Sequence, residues 1–120
     1  MGCRSVRIIA CSALLFVPAL VGCGSAGDDS NPGVAAYRQF GCGSCHGSKG
    51  QGLRTAPPLR NLSSRWTEDE LVAFLRNPRA VRARRPQLEA LAGQYPVDMA
   101  GFPNAPEETL RAVARYVLEK

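Results

Sequence analysis

The sequence has one histidine, one tryptophan and only 2 methionines among its 120 residues. A metal centre here has one strong nitrogen donor from the protein and no second. Beyond residue 22 no apolar run approaches the roughly 20 residues that a membrane-spanning helix needs. The 9 prolines and 12 glycines are too few, and too aperiodic, for a collagenous chain. An apolar share of 45% against 21% charged excludes wholesale disorder. There is no internal repeat and no convincing strand pattern, and nothing resembles an acid–base pair beside a substrate pocket. The length sets a ceiling of one small domain.

What is present begins with an export signal. Residues 1–7 carry Arg4 and Arg7 and no acid, and residues 8–21 are an apolar stretch of 14. That length suits the central region of a secretory signal and is short for a span. The stretch ends in Leu20-Val21-Gly22-Cys23, which resembles the bacterial lipobox, with Cys23 as the lipidated residue after cleavage. Ile8-Ile9-Ala10-Cys11 matches less well, because little apolar sequence precedes it. The competing reading is an ordinary signal cut near Gly24 or Ala26. The expected organisation is a signal over 1–22, a lipid-anchored polar tether over 23–32 and one domain over 33–120. Without residues 1–22, Lys plus Arg falls from 15 to 13 against 10 acids, a net charge of +3. A domain this short buries modest area and needs a staple, metal or cofactor.

Cys42-Gly43-Ser44-Cys45-His46 supplies one. C-x-x-C-H is the attachment signature of c-type haem. Two thiols three residues apart at the start of a helical turn reach the two vinyl groups on one haem edge, and the next side chain meets the iron. Haem is attached outside the cytoplasm, in keeping with the export signal. Three other readings exist for the cysteine pair. A thioredoxin-like redox pair belongs in a βαβ context, which is not evident here. A disulfide closing so short a loop gains little. A zinc site lacks further Cys or His in the domain.

With these residues in view, the stretch 33–120 resembles the class I monohaem cytochromes c. Family members open with a helix bearing a Gly and, four residues on, an aromatic, matched by Gly33 and Tyr37. They close with a helix whose aromatic crosses the first, matched by Tyr116 among Leu110, Val113 and Val117. The resemblance implies an all-α fold of three to five helices around one covalently bound haem. It implies His46 and Met99 as axial ligands, with Met99 lying 53 residues after His46. Many members have Pro directly after this Met; here Ala100 and Gly101 precede Phe102-Pro103. A Pro carbonyl accepting the histidine N–H is also implied, with Pro58 as first choice and Pro57 next. Trp66, Tyr95, Arg60 and Arg65 are candidates for haem propionate contacts, and each is equally readable as ordinary core or solvated surface.

Local signals outline the helices. Asn31-Pro32 opens one over 33–41. Thr67 to Glu70 reads as a capping box for a helix that Asn77-Pro78 ends. Gln87 to Ala92 forms a short helix, and Asn104 or Ala105 opens the last. Residues 47–65 are loop wrapping one side of the haem. Arg76, Arg79, Arg82, Arg84 and Arg85 fall within ten residues with no acid among them. They read as solvated surface or as a docking patch for an acidic redox partner. The expected function is electron transfer at the exported face of a bacterial membrane. The rivals are a haem sensor or peroxidase-like enzyme with a labile Met, or a fixed haem subunit of a respiratory complex. Nucleic acid is not an expected partner, because the haem motif and the export signal account for the chain.

Overall fold

A computed structural model describes residues 30–120. Cys23, the signal over 1–22 and most of the tether lie outside the described residues. Six helices follow in chain order: α1 Pro32–Gln39, α2 Cys42–His46, α3 Glu68–Arg76, α4 Pro78–Arg82, α5 Pro86–Ala92 and α6 Glu107–Leu118. A single 3-10 turn covers Leu62–Ser64, and no strand occurs among the described residues; Leu53 and Ala56 form only an isolated bridge.

The all-α expectation is met with one more helix than the three to five expected. The extra element is α4. Asn77-Pro78 ends α3 as expected, but the Asn77 side chain also accepts from Ala80 N at 3.1 Å, with Pro78 at the first helical position. Asn31-Pro32 starts α1 in the same way, the Asn31 oxygen accepting from Gly33 N at 2.8 Å. One dipeptide serves as a stop and a start, because an asparagine cap and a proline at the next position satisfy the same free backbone donors. The Thr67 capping box is present in both directions, with Glu70 N to Thr67 Oγ1 at 3.2 Å and Thr67 N to Glu70 Oε2 at 2.8 Å. The last helix starts at Glu107, with Pro106 as its cap, slightly later than the sequence suggests.

The core lies where α1, α3 and α6 meet. Leu110 and Val113 of α6 are fully buried, against Ala36 and Tyr37 of α1 and Leu71, Val72 and Leu75 of α3. Gly33 lets α1 and α6 cross closely: a Cβ there would stand 2.5 Å from Tyr116 Cβ and 2.6 Å from the Ala112 carbonyl oxygen. Tyr37 and Tyr116 meet edge to face at 5.4 Å. The Tyr37 hydroxyl donates to the Gly47 carbonyl at 2.8 Å, which ties α1 to the loop that follows α2. Burial, with smaller contributions from Cys42 and Tyr116, pushes this phenol up to about 12, so it stays a donor at all ordinary pH.

Outside the core, Arg111 of α6 bridges Glu68 at 3.1 Å, Asp69 at 2.7 Å and Glu107 at 2.9 Å, and Arg115 adds a 2.9 Å contact to Glu68. Hydrogen bonds from Arg115 and then Arg111 hold the Glu68 carboxyl below its usual 4.5. A carboxylate depressed in the folded state stabilises fully above its unfolded pKa and loses that contribution as pH falls through the folded one. Replacing both Arg111 and Arg115 by Gln should therefore lower the thermal midpoint at pH 7. The gap from wild type should narrow steadily below about pH 4. A gap of constant size from pH 7 to 2 would show that the arginines act through packing alone.

Candidate haem site

α2 is a single turn set between two left-handed glycines, Gly41 at φ 66° and Gly47 at φ 84°. Side chains with a Cβ rarely adopt these values, so glycine is what lets the chain turn sharply into and out of the C-x-x-C-H segment. The turn presents Cys42, Cys45 and His46 to one cleft of about 380 Å³. Before haem attachment, burial raises the Cys42 thiol to about 11, so it is uncharged in the apolar wall. The disulfide and zinc readings lose ground: no cysteine bridge occurs and no cluster of three metal-binding side chains exists among the described residues.

His46 Nδ1 lies 2.7 Å from the Pro57 carbonyl oxygen. A carbonyl can only accept, so Nδ1 carries the proton and Nε2 keeps its lone pair for a metal. The first choice for this carbonyl, Pro58, is corrected to Pro57. The reason lies in the loop. Leu53 N donates to the Ala56 carbonyl at 3.0 Å and Ala56 N to the Leu53 carbonyl at 3.4 Å, closing a tight turn that aims the next carbonyl at the histidine. Gly52, at φ 83°, packs so close to Pro58 that a Cβ would sit 2.7 Å from its nitrogen. Both prolines line the cleft, Pro57 half-buried and Pro58 exposed. A backbone bond from Gly52 N to His46 O at 2.7 Å, and one from the Thr55 hydroxyl to Cys45 O at 3.2 Å, lock the loop to α2.

Met99 is half-buried and lines the same cleft, although 53 residues separate it from His46. Its loop is fastened on the far side by Phe102 N to Leu75 O at 2.9 Å and by Phe102 stacking on Phe40 at 4.5 Å. The rest of the wall is mainly core apolar surface, Leu62, Leu71, Leu75, Val113 and Val117 among it. A deep, apolar, sub-1,000 Å³ cleft with a few convergent polar groups is the form that cofactor sites take. Two thiols and an imidazole with a free nitrogen on its wall fit covalent attachment of a c-type haem, and a thioether sulfur lies on the same wall.

Trp66 and Tyr95 line the cleft as well. Trp66 also meets Phe74 edge to face at 5.3 Å and carries the Arg85 guanidinium over its ring at 4.6 Å. Arg65 reaches the cleft and Arg60 is not part of its wall. The run from Arg76 to Arg85 is not a continuous basic surface. Arg82 is buried and paired with Asp98 and Glu89, Arg85 pairs with Glu70, and Arg76 reaches Glu107 at 3.7 Å and the Pro103 carbonyl at 3.2 Å. Only Arg79 and Arg84 remain exposed. Acids absent from the run in sequence are brought to it by α3, α5, α6 and the Met99 loop. Nothing in residue order marks Arg82 as internal, and Asp98, which it holds, carries no sequence signal beyond its place next to Met99.

A family model for cytochrome c matches residues 30–119. No curated protein and no solved structure matches the chain. The matched span takes in all six helices and every residue of the cleft wall. On the strength of that span and of the thiol, imidazole and thioether donors gathered in one apolar cleft, the chain belongs to the cytochrome c family, which binds a covalent c-type haem and uses it for electron transfer.

Proposed function

We propose that the protein is an electron carrier, not an enzyme, whose iron is held between His46 and Met99 and whose domain is tethered through Cys23 to the exported face of a bacterial membrane. When bound, the haem supplies a one-electron iron couple. The observation that carries the reading is that His46 and Met99 line one cleft while lying 53 residues apart. His46 is fixed from both sides, by its neighbours on α2 and by the Pro57 carbonyl, which keeps its bare nitrogen aimed inward. The apolar wall excludes water, so little solvent has to reorganise when the charge at the centre changes. A nitrogen–thioether pair favours reduced iron and raises the potential. His46 and Met99 would together hold the iron, which would leave it no open position for a substrate and only a change of oxidation state to carry out. The partners are redox proteins, with acidic surfaces the best electrostatic match to a domain of positive net charge. The tether rests on Leu20-Val21-Gly22-Cys23, where acyl chains on one residue exceed the two signals that stable anchoring needs.

Optical spectra of the purified protein, oxidised and reduced, with and without carbon monoxide, test the ligation. The expected oxidised spectrum has the weak far-red band of a methionine–ferric bond, and the reduced protein binds carbon monoxide poorly. A high-spin protein that binds carbon monoxide readily would promote the sensor or peroxidase-like reading instead. Intact mass of the mature protein tests the anchor: peptide plus haem without acyl chains would reject it.

A further inference from the structure

The Met99 loop lacks the proline that stiffens many of its counterparts, and its far side is held to the end of α3 by the backbone bond from Phe102 N to Leu75 O and by the Arg76 side chain on the Pro103 carbonyl. Gly101 packs there so tightly that a Cβ would sit 2.8 Å from both the Arg76 carbonyl oxygen and Pro78 Cδ. On the near side, Gly93 to Asp98, the one side-chain hydrogen bond among the described residues that reaches the residue next to Met99 joins Arg82 Nη1 to Asp98 Oδ1, with the charge of Arg79 acting on the same carboxylate. Arg82 is 7% exposed, and it lines both the haem cleft and a second groove formed by α4, α5 and Asp98. Its Nε lies 3.4 Å from Glu89 Oε2 without the alignment of a hydrogen bond, and among the described residues it is the buried side-chain nitrogen or oxygen left without such a partner.

A buried guanidinium is costly unless paired. Burying Arg82 therefore makes its partners' positions matter, and those partners come from two elements: Glu89 from α5 and Asp98 from the methionine loop. The charge sits in α4, whose first turn is anchored by the Asn77 cap and the buried Pro78. An arginine fixed in that way can hold a loop residue in place. The Asp98 side chain is 64% exposed, so of the two partners Arg82 is the one fixed by its surroundings and Asp98 the one that the pair restrains.

We propose that Arg82 is a positioning residue for the methionine ligand: it clamps Asp98 and so holds the near arm of the Met99 loop against the haem cleft. The proposal rests on Met99 being the sixth ligand. The clamp supplies through an ion pair the restraint that a proline after the methionine supplies through chain stiffness. The loop is then held at two points, Asp98 on one side of Met99 and Gly101 to Phe102 on the other, and the sulfur has little freedom to leave.

The test uses the full-length holoprotein in its ferric state. Imidazole added from solution binds only after the methionine leaves, so its binding rate reads the hold on Met99, and the far-red band reads the bond itself. Asp98→Asn should raise the imidazole binding rate about tenfold, between the effects typical of exposed and of broken buried pairs, and weaken the band. Arg82→Gln should do the same or more. Arg82→Lys should restore part of the restraint, because an ammonium keeps the charge without the fork. Combining Asp98→Asn with Arg82→Gln should be no worse than Arg82→Gln alone. Should Arg82→Gln fail to load haem, the exposed Asp98 variant still decides the matter. If wild type shows the band while Asp98→Asn leaves band and rate unchanged, the clamp is refuted and Met99 ligation stands. If wild type itself lacks the band, the ligation reading fails and the clamp falls with it.

Discussion

Met99→Ala should abolish the far-red band, open the reduced protein to carbon monoxide and lower the reduction potential, with the haem still covalently attached. The attachment survives because Cys42 and Cys45 lie on α2, which is built from its own glycine-bounded turn and from bonds to the 52–57 loop. None of those contacts involves Met99. The potential falls because the soft thioether stabilises reduced iron and its removal leaves water or nothing in its place. Axial ligands set haem potentials over about 0.8 V, so a drop on the order of a few hundred millivolts is expected. The cost to folding should be smaller than the redox effect. Met99 is only half-buried, and its loop stays fastened through Phe102 and Leu75. A variant with an unchanged band and potential would mean that another group holds the iron. Among the described residues no second histidine exists to do so.

Gly33→Ala should strongly destabilise the fold. The added carbon would stand 2.5 Å from Tyr116 Cβ, 2.6 Å from the Ala112 carbonyl oxygen and 3.1 Å from Asn31 Oδ1. Non-bonded carbons are comfortable at about 3.5–4.0 Å, so α1 and α6 would have to separate. Two of the three neighbours are a backbone atom and a Cβ, which cannot swing away. Separation also strains the Tyr37–Tyr116 contact and the Asn31 cap. Overpacking of this kind costs about 1–3 kcal/mol, and the aromatic pair adds up to about 1 kcal/mol. For a domain of this size that is a fall in thermal midpoint of roughly 10–20 °C. Gly93→Ala is the control. Gly93 has φ −63°, and a Cβ there meets nothing closer than 3.7 Å, so its midpoint should hold or rise slightly. Equal effects at the two positions would show that the α1–α6 crossing is not the point of closest approach.

The cofactor could be read in the sequence because its signals are local or unique. Cys42, Cys45 and His46 lie within one helical turn, so their spacing alone brings them together. Met99 stood out because no other methionine lies within the domain. The Asn31, Thr67 and Asn77 signals are equally local, since a cap bonds backbone donors only two or three residues away. The Gly33–Tyr116 crossing was legible through family resemblance, which carries a long-range contact that residue spacing does not.

The tertiary structure alone decided three matters. The histidine's partner is Pro57 and not Pro58, because a backbone carbonyl has no residue type to mark it. Its direction depends on how the Leu53–Ala56 turn closes. The stretch from Arg76 to Arg85 looked uniformly basic because its acids, Glu70, Glu89, Asp98 and Glu107, lie outside it and meet it only on folding. The same folding turned Arg82 inward beside the methionine loop. The sequence by itself thus determined the chemistry of the centre, which residue identity and short spacing specify. Only the three-dimensional fold determined which groups orient and restrain it, because those contacts join segments whose separation along the chain carries no physical signal.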